Sequence, residues 1–251
     1  MHNFFSSTVL FSEISTRKHN NNTMHLHLIV VILVIFSWFS LNEAKNHLEH
    51  KKQPLNQCNI FKGHWAWDDS YPMYDSSKCP EIRHEFDCLK FGRPDEYYLK
   101  FRWQPDDCDI PRFDGVDFLT RMRGKKIMFV GDSLSLNNYQ SLICLLHAAV
   151  PSSNIIQATG GVQTWIFLDY NVSITMYSAL YLVDIDKEQI GRVMKLDSVN
   201  RGGNVWKEAD VLVFNTWLWW YTRGPKQPWD YIQEGNIIQK DMDRMVAFER
   251  H

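Results

Sequence analysis

The sequence contains no Cys-x-x-Cys pair and no Cys/His cluster at zinc-finger spacing, so a structural zinc site is not expected. It has no long basic run. Its 27 Lys and Arg stand against 29 Asp and Glu, which argues against a nucleic-acid partner. No continuous apolar stretch reaches the roughly 20 residues of a membrane span. Internal repeats are missing as well. No Asp-x-x-His tetrad occurs anywhere in the 251 residues, a point that bears on any hydrolase reading.

What is present fits a folded globular protein. Hydrophobic residues make up 45% and charged residues 22%, outside the disordered range. Ten tryptophans and ten tyrosines can fill cores or stack on sugar faces, so their number alone decides neither. Residues 28–41 (LIVVILVIFSWFSL) are apolar apart from two serines. The run suits a secretory signal, with Met24 as an alternative start, or a signal anchor, and a buried core helix is the remaining reading. Arg17 and Lys18 before it favour a cytosolic N-terminus. Residues 45–54 are polar and charged and read as a stem. Four of the five cysteines then fall within residues 58–108, among tryptophans and turn residues without helical period. This reads as a small disulfide-braced module of an oxidising compartment.

Beyond it, residues 113–123 (FDGVDFLTRMR) carry apolar side chains at helical spacing. Residues 164–167 and 172–177 alternate as strands. Residues 197–208 (DSVNRGGNVWKE) read as a loop turning at Gly202-Gly203, and 209–215 (ADVLVFN) as a buried strand. An aromatic loop, TWLWWYTRGP, follows, and residues 241–250 open a helix. Alternating strands and helices predict an α/β domain with a parallel sheet. Asn171-Val172-Ser173 is an N-glycosylation sequon, usable in a secretory lumen.

The organising stretch is residues 125–146, KKIMFVGDSLSLNNYQSLICLL. A short apolar strand runs into the turn Gly131-Asp132-Ser133 and then into a helix with one buried face. A serine there is displayed as a nucleophile would be, with its N–H at the positive end of the helix. Asp132 and Ser133 would equally serve as simple helix caps. Further oxyanion donors would come from Gly160, Gly161 or Asn215, each of which also reads as an ordinary turn or strand-end residue. A base is harder to find. Six of ten histidines lie at or before position 50, His64 and His84 lie in the cysteine-rich module, His147 lies turns away on the helix, and His251 is the last residue. A Ser-His-Asp set cannot be assembled from this sequence.

The ordered blocks DCLKFGRPDEYYLKFRWQP, GDSLSLN, YLVDI, LDS and FNTW, behind an N-terminal apolar run, resemble the plant trichome birefringence-like family of polysaccharide O-acetyltransferases. The resemblance runs from about residue 57 to 251. It implies an α/β fold with an SGNH-hydrolase-like parallel sheet flanked by helices, here incomplete. It implies residues 1–44 as a cytosolic tail with signal anchor or signal peptide and 45–56 as a stem linker. Residues 57–110 would be the Cys/Trp-rich module and 111–251 a partial SGNH/GDSL-type acyltransferase domain.

The activity implied is O-acetylation of xylan, mannan or pectin in the Golgi. The protein would be a single-pass type II membrane protein with a luminal catalytic domain, or else secreted. No bound cofactor is implied; an acetyl donor such as acetyl-CoA would be co-substrate and a polysaccharide the acceptor. Ser133 matches the acyl-carrying serine, with Asp132 and Gly131 fixing the turn. Gly161 and Asn215 would be oxyanion or turn residues by analogy with SGNH hydrolases. No metal is expected.

Two departures stand out. Leu218 occupies the position of His in the family block FNTWHWW, and the family's C-terminal Asp-x-x-His is absent. The latter predicts an inactive, truncated chain with an unpaired sheet edge, or alternatively a catalytically dead glycan-binding or interaction protein. On the same resemblance, Cys58 is expected to bridge Cys108 and Cys79 to bridge Cys144, leaving Cys88 for a cysteine beyond residue 251.

Overall fold

The computed structural model describes residues 54–158, 162–222, 227–240 and 242–250. The apolar run at residues 28–41, nearly all of the stem, and Gly160 and Gly161 lie outside them. Among the described residues no helix is long and apolar enough to cross a membrane. The described residues fall into two compact units, those up to Gly63 with 105–110, and those of 64–104 with the described residues from 111 onward. In the first, a disulfide joins Cys58 to Cys108, and Asp106 N–H donates to the Lys62 carbonyl at 3.1 Å. The paired strands β1 (Gly63–Trp67) and β2 (Phe101–Pro105) carry the chain into the second unit and back.

The second unit is built on a five-stranded sheet of order β4-β5-β6-β3-β9. Its strands are β3 (Lys126–Gly131), β4 (Ile155–Ala158), β5 (Gln163–Phe167), β6 (Val172–Ser178) and β9 (Val211–Phe214). β3 pairs in parallel with β6 and β9, whereas β5 pairs antiparallel with both β6 and β4. The expected all-parallel sheet is thus corrected to a mixed one. The cause is local: a tight turn joins Phe167 to Val172, with Asn171 in left-handed backbone at φ 54°, and so short a link permits only antiparallel pairing.

Alternation in β3 divides the core. Ile127 and Phe129 face helix α2 (Ser133–Ala149) and pack with Tyr139, Ile143, Leu146, Trp165 and Ile174. Met128 and Val130 face the other way, toward Trp206. Helix α1 (Gly115–Arg121) starts at Asp114, whose carboxylate accepts from Val116 N and Asp117 N. It lies so close to α2 that a Cβ on Gly115 would come within 2.5 Å of the Ala149 Cβ. A second disulfide ties Cys79 to Cys144 in the middle of α2, and Cys88 stays a free thiol donating to the Tyr98 hydroxyl at 3.2 Å.

Two further expectations change. Residues 197–208 are not simply a loop: Asn200–Trp206 form helix α3. The Asp184 carboxylate holds its start, accepting from Ser198 Oγ and from the N–H groups of Asn200 and Arg201. Gly202 is there for packing, because a Cβ would lie 2.3 Å from the Trp206 ring. The strand β9 is found where expected but is a sheet edge, with Leu212, Val213 and Phe214 exposed rather than buried.

A smaller sheet, β11-β10-β8-β7, comprises β7 (Asp184–Glu188), β8 (Gly191–Lys195), β10 (Tyr231–Glu234) and β11 (Ile237–Gln239). It encloses Met194, Ile232, Trp220 and Trp229 together with the short helices α4 (Leu218–Tyr221) and α5 (Arg244–Arg250).

Candidate active site

The strands β3 and β9 end side by side, Val130 opposite Phe214, so the residues that follow each share one rim of the sheet. After β3 the chain turns through Gly131 and Asp132 into α2. Gly131 is fully enclosed: a Cβ would lie 2.3 Å from Ser135 Oγ and 2.4 Å from the Asn215 carbonyl oxygen. Only glycine permits the two strand ends to close in this way. Asp132 is the N-cap of α2, accepting from Leu134 N at 2.9 Å. Ser133 is the first helical residue and is exposed. Its N–H is among the first-turn donors that have no intrahelical acceptor.

After β9, Asn215 N donates to the Val130 carbonyl at 2.9 Å, extending the ladder by one residue. The Asn215 side chain then reaches back, and its Nδ2 donates to Asp132 Oδ1 at 2.7 Å. Asp132 is only 3% exposed, and its Oδ2 has no partner among the described residues. The amide of Asn215 has two N–H groups, so one remains for a ligand. Thr216 fixes the next step: its hydroxyl donates to the Leu180 carbonyl at 3.2 Å and accepts from Trp220 Nε1 at 3.0 Å. Trp217 and Tyr221 stack at 5.5 Å and stay exposed; Leu218 opens α4 beside them.

The structure thus brings Gly131, Asp132, Ser133 and Asn215 together, while Gly161 lies outside the described residues. Among the described residues no histidine joins them. His147 is fourteen residues from Ser133 along α2, about 21 Å of helical rise. His84 packs edge-on against Phe91 at 4.8 Å. Among the described residues no group of His, Cys, Asp and Glu could hold a metal.

Two features escaped sequence reasoning. The Asp132–Asn215 contact joins residues 83 apart, and no spacing rule signals it. Glu81 is buried and accepts from Trp165 Nε1 at 2.6 Å, with its carboxyl raised above the usual range by burial. Tyr139 beside it is raised for the same reason.

Residues 110–251 match the PC-Esterase family model, described as the GDSL/SGNH-like acyl-esterase family found in Pmr5 and Cas1p. The chain belongs to this family. Residues 56–109, the preceding module, match the PMR5 N-terminal domain. Curated relatives agree with the resemblance read from the sequence. "Protein trichome birefringence-like 41" of Arabidopsis thaliana is 56% identical over 193 residues, covering 76% of this chain and 54% of the relative. "Protein trichome birefringence-like 38" is 51% identical over 208 residues, covering 82% and 54%. "Protein trichome birefringence-like 43" is 50% identical over 226 residues, covering 89% and 61%. The chain therefore spans little more than half the length of these PC-esterase relatives.

Proposed function

We propose that this PC-esterase chain is built for O-acetyl transfer to a cell-wall polysaccharide through an acyl-enzyme on Ser133. The observation that carries this is an exposed serine at the head of α2, with Asn215 clamped beside it by Asp132. The Ser133 Oγ would attack the carbonyl carbon of an acetyl donor such as acetyl-CoA. The new Oγ–C bond forms as the bond to the donor's leaving group breaks, and the Oγ proton passes to a base. A sugar hydroxyl would then take the acetyl group, and Ser133 would regain its proton. The Ser133 N–H and the second Asn215 N–H are the available oxyanion donors. The acceptor would be of xylan, mannan or pectin type.

The resemblance assigns the base to a C-terminal Asp-x-x-His, a tetrad that the 251 residues do not contain. The apolar run at residues 28–41 supports a Golgi signal anchor with the esterase domain in the lumen. Asn171 supports that placement: it is exposed at the β5–β6 turn, at the end of the sheet opposite Ser133, where a glycan would leave the site open.

Incubation with an acetyl donor and xylan, mannan and pectin oligosaccharides, followed by mass spectrometry, tests the reading. An acetyl group on the Ser133 peptide, absent in Ser133→Ala, is the expected result. Acetylation elsewhere, or none even when the C-terminal segment of a relative is supplied, would sink it. The exposed Trp217–Tyr221 stack beside Asn215 favours one alternative, a glycan-binding protein without turnover.

A further inference from the structure

The strands β1 and β2 pair with each other and belong to neither larger sheet. Alternate residues of a strand share a face. Trp65 and Trp67 of β1 therefore lie on one side, against Trp103 and Phe101 of β2, with ring pairs meeting edge to face at 5.7 and 5.4 Å. Tyr97, at the start of the short 3-10 turn that leads into β2, adds a fifth ring 6.0 Å from Trp67. Trp65 is 66% exposed, Tyr97 67% and Trp67 49%. The reverse face is polar and satisfied within itself: Arg102 Nε donates to Asp68 Oδ2 at 2.9 Å and its Nη1 donates to Gln104.

The rings are held in place by their surroundings. Trp67 Nε1 donates to Asp69 Oδ1 at 3.0 Å, which fixes the indole plane. Asp68 N–H donates to the Lys100 carbonyl at 2.8 Å and closes the end of the ribbon. Lys100 Nζ donates to the carbonyls of Asp69 and Tyr71 and ties the following loop down. Rings of this size left in water forgo a large burial gain, and a contiguous exposed apolar patch marks a surface that meets a partner.

The chemistry of the face narrows that partner. Its large exposed side chains are all aromatic, whereas the β9 edge exposes Leu212 and Val213 beside Phe214. A ring face carries negative charge and attracts polarised C–H groups, such as line one side of a pyranose, more than it attracts an aliphatic side chain. Tyr98 does not contribute, since Arg93 covers its ring at 4.1 Å. The carboxylate beside the rings is that of Asp69, which is exposed and able to accept from sugar hydroxyls. The cations next to it are committed, Lys100 to backbone carbonyls and Arg102 to the reverse face. An acidic chain would meet Asp69 without a compensating cation; a neutral one would not.

We infer that the aromatic face of the β1–β2 ribbon docks an uncharged pyranose chain, with sugar rings stacked on Trp65 and Trp67 and a hydroxyl donating to Asp69. The two indoles are about 7 Å apart along the strand, close to the length of one sugar in an extended chain. This binding does not rest on the Ser133 reading.

The test is a calorimetric titration of the 251-residue chain with oligosaccharides of xylan, mannan and galacturonan. At least one of the two neutral chains should bind, and galacturonan should bind more weakly. Trp65→Ala and Trp67→Ala should each weaken binding about ten-fold, as expected for one lost ring contact. Trp65→Phe, which keeps a ring face, should recover most of it. Asp69→Asn keeps an oxygen for the Trp67 indole and removes the charge, and should narrow the gap between neutral and acidic chains. Tyr97 is the most exposed of these rings, so Tyr97→Ala provides a second reading should a tryptophan variant misfold. Ser133→Ala should bind as wild type. If neither neutral chain binds, if galacturonan binds more tightly, or if Trp65→Ala and Tyr97→Ala fold and bind as wild type, the inference fails. Self-association that Trp65→Ala abolishes, without glycan binding, would assign the face to a protein surface and overturn it. Binding that persists while Ser133 is never acylated would overturn the catalytic reading alone.

Discussion

Asn215 and Asp132, 83 residues apart, meet at 2.7 Å and lock the end of β9 to the turn that presents Ser133. Asp132 is buried and carries two hydrogen bonds on a single oxygen. Removing the amide leaves that carboxylate with one donor. Asn215→Ala is expected to lose about 1–3 kcal/mol in urea unfolding. Asn215→Asp should lose more at neutral pH, where it sets a second carboxylate against Asp132. Equal losses for the two variants would refute the contact's role.

Gly131 gives a sharper steric test. The methyl of Gly131→Ala would meet Ser135 Oγ and the Asn215 carbonyl, and the latter is backbone that cannot rotate away. A loss of about 1–3 kcal/mol is expected, as for overpacked cores. Reactivity of Ser133 toward a fluorophosphonate should fall with it. Unchanged stability and labelling would show that the rim can open without consequence.

Glu81 sets a pH dependence. Burial raises its carboxyl above the ordinary 4.5, opposed by the hydrogen bond from Trp165. The folded protein therefore binds this proton more tightly than the unfolded chain. Its contribution to stability is fully present below the ordinary value and is lost as pH rises through the raised one. Glu81→Gln keeps an acceptor for Trp165 and removes the charge. Its melting temperature should exceed the wild type's at neutral pH and converge with it below 4.5. A constant offset between the two curves would exclude a titration of Glu81.

The Cys79–Cys144 bond closes a separation of 65 residues and pins α2, whose first residue is Ser133. Replacing both cysteines by alanine should cost about 2–5 kcal/mol. Calorimetry under oxidising conditions checks this, with the Cys58/Cys108 double variant as comparison.

The strand-turn-helix around Ser133 was legible because three local signals coincide: the apolar run of β3, the Gly131-Asp132 turn, and the apolar face of α2. Helix α1 was legible from spacing alone. The mixed sheet was not, since strand direction depends on the length of the Phe167–Val172 link rather than on either strand's composition. Helix α3 was hidden by Gly202-Gly203, a pair that normally marks a turn. Here Gly202 makes room for an indole, and the helix is started by Asp184, far away in sequence. The exposure of β9 was misread because Val211 to Phe214 are apolar on both faces, the pattern of an interior strand. Within the rim, Ser133 and Asn215 could be nominated singly. Their coupling through Asp132 could not, because it exists only once the two strands are adjacent.

The cysteine pairing also imposes an order on synthesis. Cys58, Cys79, Cys88 and Cys108 all leave the ribosome before Cys144. Once Cys58 and Cys108 have met, Cys79 must wait for about 36 more residues, roughly 2–7 s at ordinary elongation rates. Throughout that interval Cys88 is the nearer thiol, nine positions away. A nascent chain that closes Cys79 onto Cys88 would leave Cys144 without its partner, and α2 would lose its tether before Asn215 had been made. Correct assembly of the Ser133 rim is therefore a kinetic contest between two thiols, and one that a disulfide isomerase is equipped to referee.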